Sequence, residues 1–145
     1  MPMENTDLHA AKAMLEEGSY TCVLCREKTV YTATERGVKP LVRWLTENLD
    51  AKGFSAADRV VGRATAFLYR LLGVREVYAH VMSRAAAEVL EEGDIRFSYG
   101  TLVENIINRQ GTGICPFEEA VLQIGEPEKA LTAIREKMKL MNITL

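Results

Sequence analysis

The stretch SAADRVVGRATAFLYRLLGVREVYAHVM, residues 55–82, holds the transition on which the fold turns. Ser55 and Asp58 stand at the spacing where a hydroxyl and a carboxylate satisfy the unpaired amides that open a helix. Val60, Val61, Ala64, Phe67, Leu68, Leu71 and Leu72 then recur with a helical period and form a wide apolar stripe. The expectation is a helix from that cap to Leu72, closed by Gly73, with Arg59, Arg63 and Arg70 on its solvated face. VREVYAHVM, residues 74–82, comes next with the composition of a strand inside a sheet.

Upstream, LHAAKAMLEE (8–17) predicts a helix capped by Thr6 or Asp7 and ended by Gly18. SYTCVLC and TVYTATE, joined by the polar REK, predict a β-hairpin over residues 19–35, and VKPLVRWLTENL (38–49) predicts a helix. Downstream, SRAAAEVLEEG (83–93) is a capped helix and DIRFSYG (94–100) a strand. In TLVENIINRQ (101–110) the apolar spacing favours a short helix, and GTG (111–113) is a loop. CPFEEAVLQIG (115–125) and EPEKALTAIREKMKLMN (126–142) are each opened by a proline near the first helical position. This order predicts a single α/β domain over residues 1–145, a three-layer sandwich whose mixed central sheet is covered by helices on both faces. The strands of its two middle βα units should pair in parallel.

The composition excludes several classes. At 145 residues, with 48% hydrophobic and 26% charged residues, the chain can build a core without disulfides or metals. Its net charge is −2, and its Lys and Arg are scattered among acids rather than clustered, which disfavours a nucleic-acid interface. No apolar run reaches membrane-span length, and the first residues do not read as an export signal. Three cysteines without such a signal point to reduced thiols and a cytoplasmic location.

Residue types with chemical potential are few. Cys22 and Cys25 form a Cys-x-x-Cys pair, but residues three apart on a strand point to opposite faces, so separate packing roles are expected. His80 stands at a strand end, as a packing residue or on the rim of a crevice. Cys115 precedes Pro116 where a thiolate would face free amides at the start of a helix, while Glu118 and Glu119 oppose that effect. Its readings are a nucleophile or ligand contact, or a packed turn residue lining a pocket, and the second is the expectation. Asn108 and Arg109 either hydrogen-bond an anionic or amide-bearing ligand or tie down their loop.

DRVVGRATAFLY, VREVYAHVMSRAAAEVL and FSYGTLVENIINRQGTGICPFEEAV resemble the uncharacterised prokaryotic family called domain of unknown function 1893, from about Tyr20 to about Leu122. GTGICPFEEAV is the most specific piece. The resemblance implies a cytidine-deaminase-like fold. A zinc deaminase needs His-x-Glu at one helix start and Pro-Cys-x-x-Cys at the next. Here Arg63-Ala64-Thr65 and Met82-Ser83-Arg84-Ala85-Ala86 stand at those places, so neither the ligands nor the proton shuttle are present. By the resemblance, the crevice between the two helix starts presents Gly62, Arg63, Ser83 and Arg84, near Asn108, Arg109 and Cys115, to a small anion. The leading expectation is therefore a metal-free, cofactor-free, non-catalytic binding or sensing domain for a small anionic metabolite. The alternatives are a thiol-dependent enzyme, with Cys115 as nucleophile assisted by Glu118 or His80, and a structural homo-oligomer packing through Met138, Leu140, Met141 and Leu145.

Overall fold

The computed structural model describes residues 4–108 and 110–145; Arg109, a candidate ligand contact, lies outside the described residues. The elements are α1 (Glu4–Glu17), β1 (Cys22–Arg26), β2 (Thr29–Ala33), α2 (Lys39–Thr46), β3 (Ser55–Val61), α3 (Arg63–Leu72), β4 (Glu76–Ser83), α4 (Arg84–Glu92), β5 (Arg96–Val103), α5 (Pro116–Ala120) and α6 (Pro127–Leu140). They form an α/β fold around one five-stranded sheet of order β2-β1-β3-β4-β5. The hairpin β1–β2 is antiparallel and joins antiparallel to β3, while β3, β4 and β5 run parallel, as the βα units require.

Residues 55–61 depart from the expected helix. They are a central strand, paired with β1 on one side and β4 on the other. Ala56, Ala57 and Val61 are fully buried, and small side chains on both faces suit a strand covered above and below. Ser55 and Asp58 cap nothing here: the Ser55 hydroxyl donates to Glu76 Oε2 (2.6 Å), and Asp58 is buried beside Tyr69. Only Gly62 separates β3 from α3, so the helical period that begins at Ala64 extends backward into the strand by coincidence.

α1 covers one face of the sheet through Ala11 and Leu15, which meet Val23, Cys25 and Ala57. On the other face α2, α3 and α4 pack over a larger core that includes Cys22. The two cysteines of CVLC thus lie on opposite faces, as strand alternation demands. Asp7 caps no helix start: α1 begins at Glu4, and the Asp7 carboxylate accepts the amide of Glu27 (2.9 Å) at the hairpin tip.

α6 packs on the outer side of α3 through Ala130, Ile134 and Met138. This second cover buries every residue of α3 from Ala64 to Tyr69, so the three arginines do not share a solvated face. Arg59 lies on β3 and donates to the carbonyls of Tyr20 (2.7 Å) and Leu15 (3.0 Å). Arg63 donates to the carbonyls of Val121 and Ile124, and Arg70 to that of Val89. Met138 belongs to this internal core, whereas Leu140, Met141 and Leu145 are exposed.

Two further expectations change. β5 continues to Val103, and residues 106–108 and 110–115 pair as a narrow ribbon rather than a helix, with Ile107 bridged to Ile114 and Cys115 N–H donating to the Ile106 carbonyl (2.9 Å). The helix begun by Pro116 stops at Ala120. Among the described residues no helix is long and apolar enough to cross a membrane.

The docking of α6 sets a stability test. Ile134 is fully buried, so Ile134→Ala should lower the unfolding free energy by about 2–5 kcal/mol in urea titrations. Leu140→Ala, on the exposed side of the same helix, should change it by less than ~0.5 kcal/mol.

Candidate functional site

A cleft of about 400 Å³ opens where β3 ends, β1 begins and α3 starts. Val38, Pro40, Ile106 and Phe117 supply apolar walls, and Cys22, Asp58, Thr65, Cys115 and Glu118 line it as well. The ends of strands at the N-terminus of the following helix are where open α/β sheets leave crevices for ligands.

The corner above the cleft is closed by Glu118. Its Oε1 accepts the Arg63 amide (2.8 Å) and its Oε2 the Ala64 amide (2.9 Å), so one carboxylate satisfies two of the unpaired donors at the start of α3. Gly62 makes the approach feasible, because a β-carbon there would stand 2.6 Å from the Glu118 carboxyl. The amides an external anion would use are therefore occupied by the protein itself. The Arg63 side chain is also engaged, on two carbonyls and over the Phe67 ring at 5.1 Å.

Below this corner runs a buried polar chain. Tyr69 O–H donates to Asp58 Oδ2 (2.7 Å), and the Cys22 sulfur lies 3.0 Å from the same hydroxyl oxygen. The phenol has one proton, so with that proton on Asp58 the thiol is the donor to the phenolic oxygen. Burial raises the Asp58 carboxyl from its ordinary value of 3.8 to about 6, although Tyr69 and the amides of Val60 and Arg59 oppose the rise. Burial, reinforced by the Asp58 charge, pushes both the Cys22 thiol and the Tyr69 phenol well up. At neutral pH the chain therefore carries one negative charge, at Asp58.

Of the sequence candidates, Gly62, Cys115 and Glu118 meet at this cleft, and Arg63 stands at its corner with its side chain turned away. Ser83 and Arg84 do not line it. Ser83 caps α4, its hydroxyl accepting the Ala86 amide (3.1 Å), and Arg84 pairs with Glu104 (2.6 Å) at the surface. Asn108 ties its own loop, accepting the Thr112 amide (3.0 Å) and donating to its hydroxyl (3.2 Å). His80 lies elsewhere, edge-on to Tyr78 and 4.0 Å from Glu16 of α1, and does not serve Cys115. Asp58, Tyr69 and Arg36 were not among the candidates.

The family model described as Domain of unknown function (DUF1893) matches residues 10–138. The chain belongs to this DUF1893 family. A crystal structure of a DUF1893 protein from Thermotoga maritima is similar in fold, with a TM-score of 0.83 at 24% identity, over 91% of this chain and 90% of that one. No curated protein matches the chain. In this DUF1893 chain the donor set for a deaminase-type zinc ion does not fit: the start of α3 holds Arg63, Ala64 and Thr65, and that of α4 holds Ser83 and Arg84. Among the described residues no three His, Cys, Asp or Glu side chains are grouped as a metal would need.

Two measurements test this geometry. Glu118→Ala should lower stability by about 0.5–2 kcal/mol through loss of the α3 cap. Gly62→Ala should do the same by pushing the carboxylate away, and the double variant should fall short of the sum, as urea titration of the cycle would show. For Asp58 the folded value lies above the ordinary one, so between 3.8 and about 6 the folded state holds a proton that the unfolded chain has released. Stability should consequently decline as pH rises through that window, by on the order of 2–3 kcal/mol, and remain lower above it. In Asp58→Asn, unfolding curves recorded from about pH 4 to 7 should lose this decline.

Proposed function

We propose that the chain is a non-catalytic binding or sensing domain for a small anionic metabolite, built on a cytidine-deaminase-like three-layer scaffold. The strand order, with α3 and α4 each starting directly at the end of a parallel strand, supports that reading of the scaffold. The ligand site is the cleft beside β3, and the anionic group enters at its mouth rather than on the helix starts.

One observation carries this reading. Of the two arginines lining the cleft, Arg59 is bound to carbonyls under α1, while Arg36 is exposed and makes no hydrogen bond or ion pair among the described residues. The neighbouring Glu35 is already neutralised by Arg43 and by Lys39 (3.5 Å) and does not compete for it. A cleft with apolar walls and one available guanidinium is a usual form of a site that orients a small acid. A catalytic reading has less support, since both Glu118 oxygens are held by amides and His80 is remote from Cys115. The free thiols suit a reducing cytoplasm.

Calorimetry and thermal shift with a panel of monocarboxylates and phosphate monoesters form the test. At least one should bind the native chain and weaken about tenfold or more in Arg36→Glu, the equivalent of one charge-assisted hydrogen bond. Silence across the panel, or equal binding by the variant, would sink the proposal.

A further inference from the structure

We infer that the inner end of the cleft receives a positively charged nitrogen of the ligand, an ammonium or amidinium, on the carboxylate of Asp58. This deepens the reading of the cleft as a binding site and makes the preferred ligand a compact zwitterion: cation inward, apolar body between the walls, acid at Arg36.

Asp58 is 8% exposed, lines the cleft and takes part in no ion pair among the described residues. Buried charges in folded proteins are paired or neutralised, so a cleft-lining carboxylate with no cation is a site with half of its partners missing. Its neighbours come from several elements. From β1 comes the Cys22 thiol, and from α3 the Tyr69 hydroxyl and Thr65. On β3 itself, the Arg59 guanidinium extends to the carbonyls of Leu15 and Tyr20. Glu35, Arg36, Cys115 and Glu118 also line the cleft; Glu35 is neutralised by Arg43 and Lys39, and the Glu118 carboxylate is held by the first amides of α3. The Tyr69 hydroxyl steadies one oxygen of Asp58. Its other oxygen accepts a long bond of 3.4 Å from the Val60 amide. The Arg59 amide and the Cys22 thiol also act on the carboxylate, but none of these donors is a cation, which leaves the charge without an ionic partner. Burial that raises the carboxyl to about 6 still leaves it mostly ionised at neutral pH, and an entering cation would hold it so.

Three probes with one ring test the inference by calorimetry at about pH 7.5: benzoate, benzylamine and 4-(aminomethyl)benzoate. The zwitterion should bind at least about tenfold tighter than benzoate, the gain of one buried charge-assisted contact, and Asp58→Asn should erase that difference. Should the variant not fold, the native chain gives the answer alone: benzylamine affinity should fall as pH is lowered through about 6, because Asp58 then takes up a proton while the amine stays charged. Benzoate binding as tightly as the zwitterion, an amine gain that survives in Asp58→Asn, or no probe binding at all would overturn it. Benzylamine binding without benzoate would support this inference while removing the anionic reading of the cleft, so the two proposals fail separately.

Discussion

The contact between the Glu118 carboxylate and the first amides of α3 is the constraint that orders the rest of the site. It joins segments more than fifty residues apart in sequence, and both of its hydrogen bonds are partly buried. A carboxylate at a helix start gains from the charge–dipole term as well as from the bonds. Because it anchors the end of the 106–118 segment, the contact fixes the wall of the cleft that carries Ile106, Cys115 and Phe117. It also removes the α3 start from the places where an external anion could settle. The protein carries its own anion there.

The helix held by this contact is packed from two directions. Sheet on one side and α6 on the other leave α3 buried nearly all round, a position that ordinarily excludes arginine. Arg63 and Arg70 are accommodated because they stand at the helix ends and donate to main-chain carbonyls of neighbouring segments. Those carbonyls lie in the turn after α5 and the last turn of α4, and those of Val121 and Val89 also accept the amides of Ile124 and Gly93. The arginines that look like a polar stripe in the sequence are fastenings between elements.

How much of this was legible depends on whether a signal was local. The β-hairpin, the opposite faces of Cys22 and Cys25, the parallel middle strands and the helices closed by Gly73 and Gly93 all rest on short-range rules, and the fold obeys them. Ser55–Val61 failed because Ser-x-x-Asp and a Val-Val pair fit a helix start and a buried strand equally well. The deciding factor is β1 and β4 on either side, which no window of seven residues contains. That misreading concealed the site, since Asp58 taken as a cap is not sought as a buried acid. A usable signal was present: an acid among small apolar residues, four before a glycine that opens a helix. Ser83, Arg84 and Asn108 fit a ligand site only by analogy with helix starts and loops; Ser83 and Asn108 bond to residues three and four along the chain, and Arg84 pairs with Glu104. Glu118 was marked only as a helper for Cys115, because nothing in sequence links it to Gly62.

The buried chain Cys22–Tyr69–Asp58 is the remaining feature that packing does not explain. A set of polar groups in a protein interior, even when fully satisfied, is commonly no more stable than apolar residues of the same volume. Tyr69 could close the core as a phenylalanine and Cys22 as an alanine, while Asp58 adds a desolvation penalty that its hydrogen bonds only partly offset. The fold therefore tolerates a charge where an apolar side chain would serve stability better. The charge lines the cleft from the middle of β3, and its hydroxyl partner Tyr69 is fully buried on α3. A rigid, desolvated carboxylate has little to reorganise when a cation arrives, and its attraction is stronger there than at the surface. The same burial that makes Asp58 a burden on the empty fold makes it an anchor for a ligand.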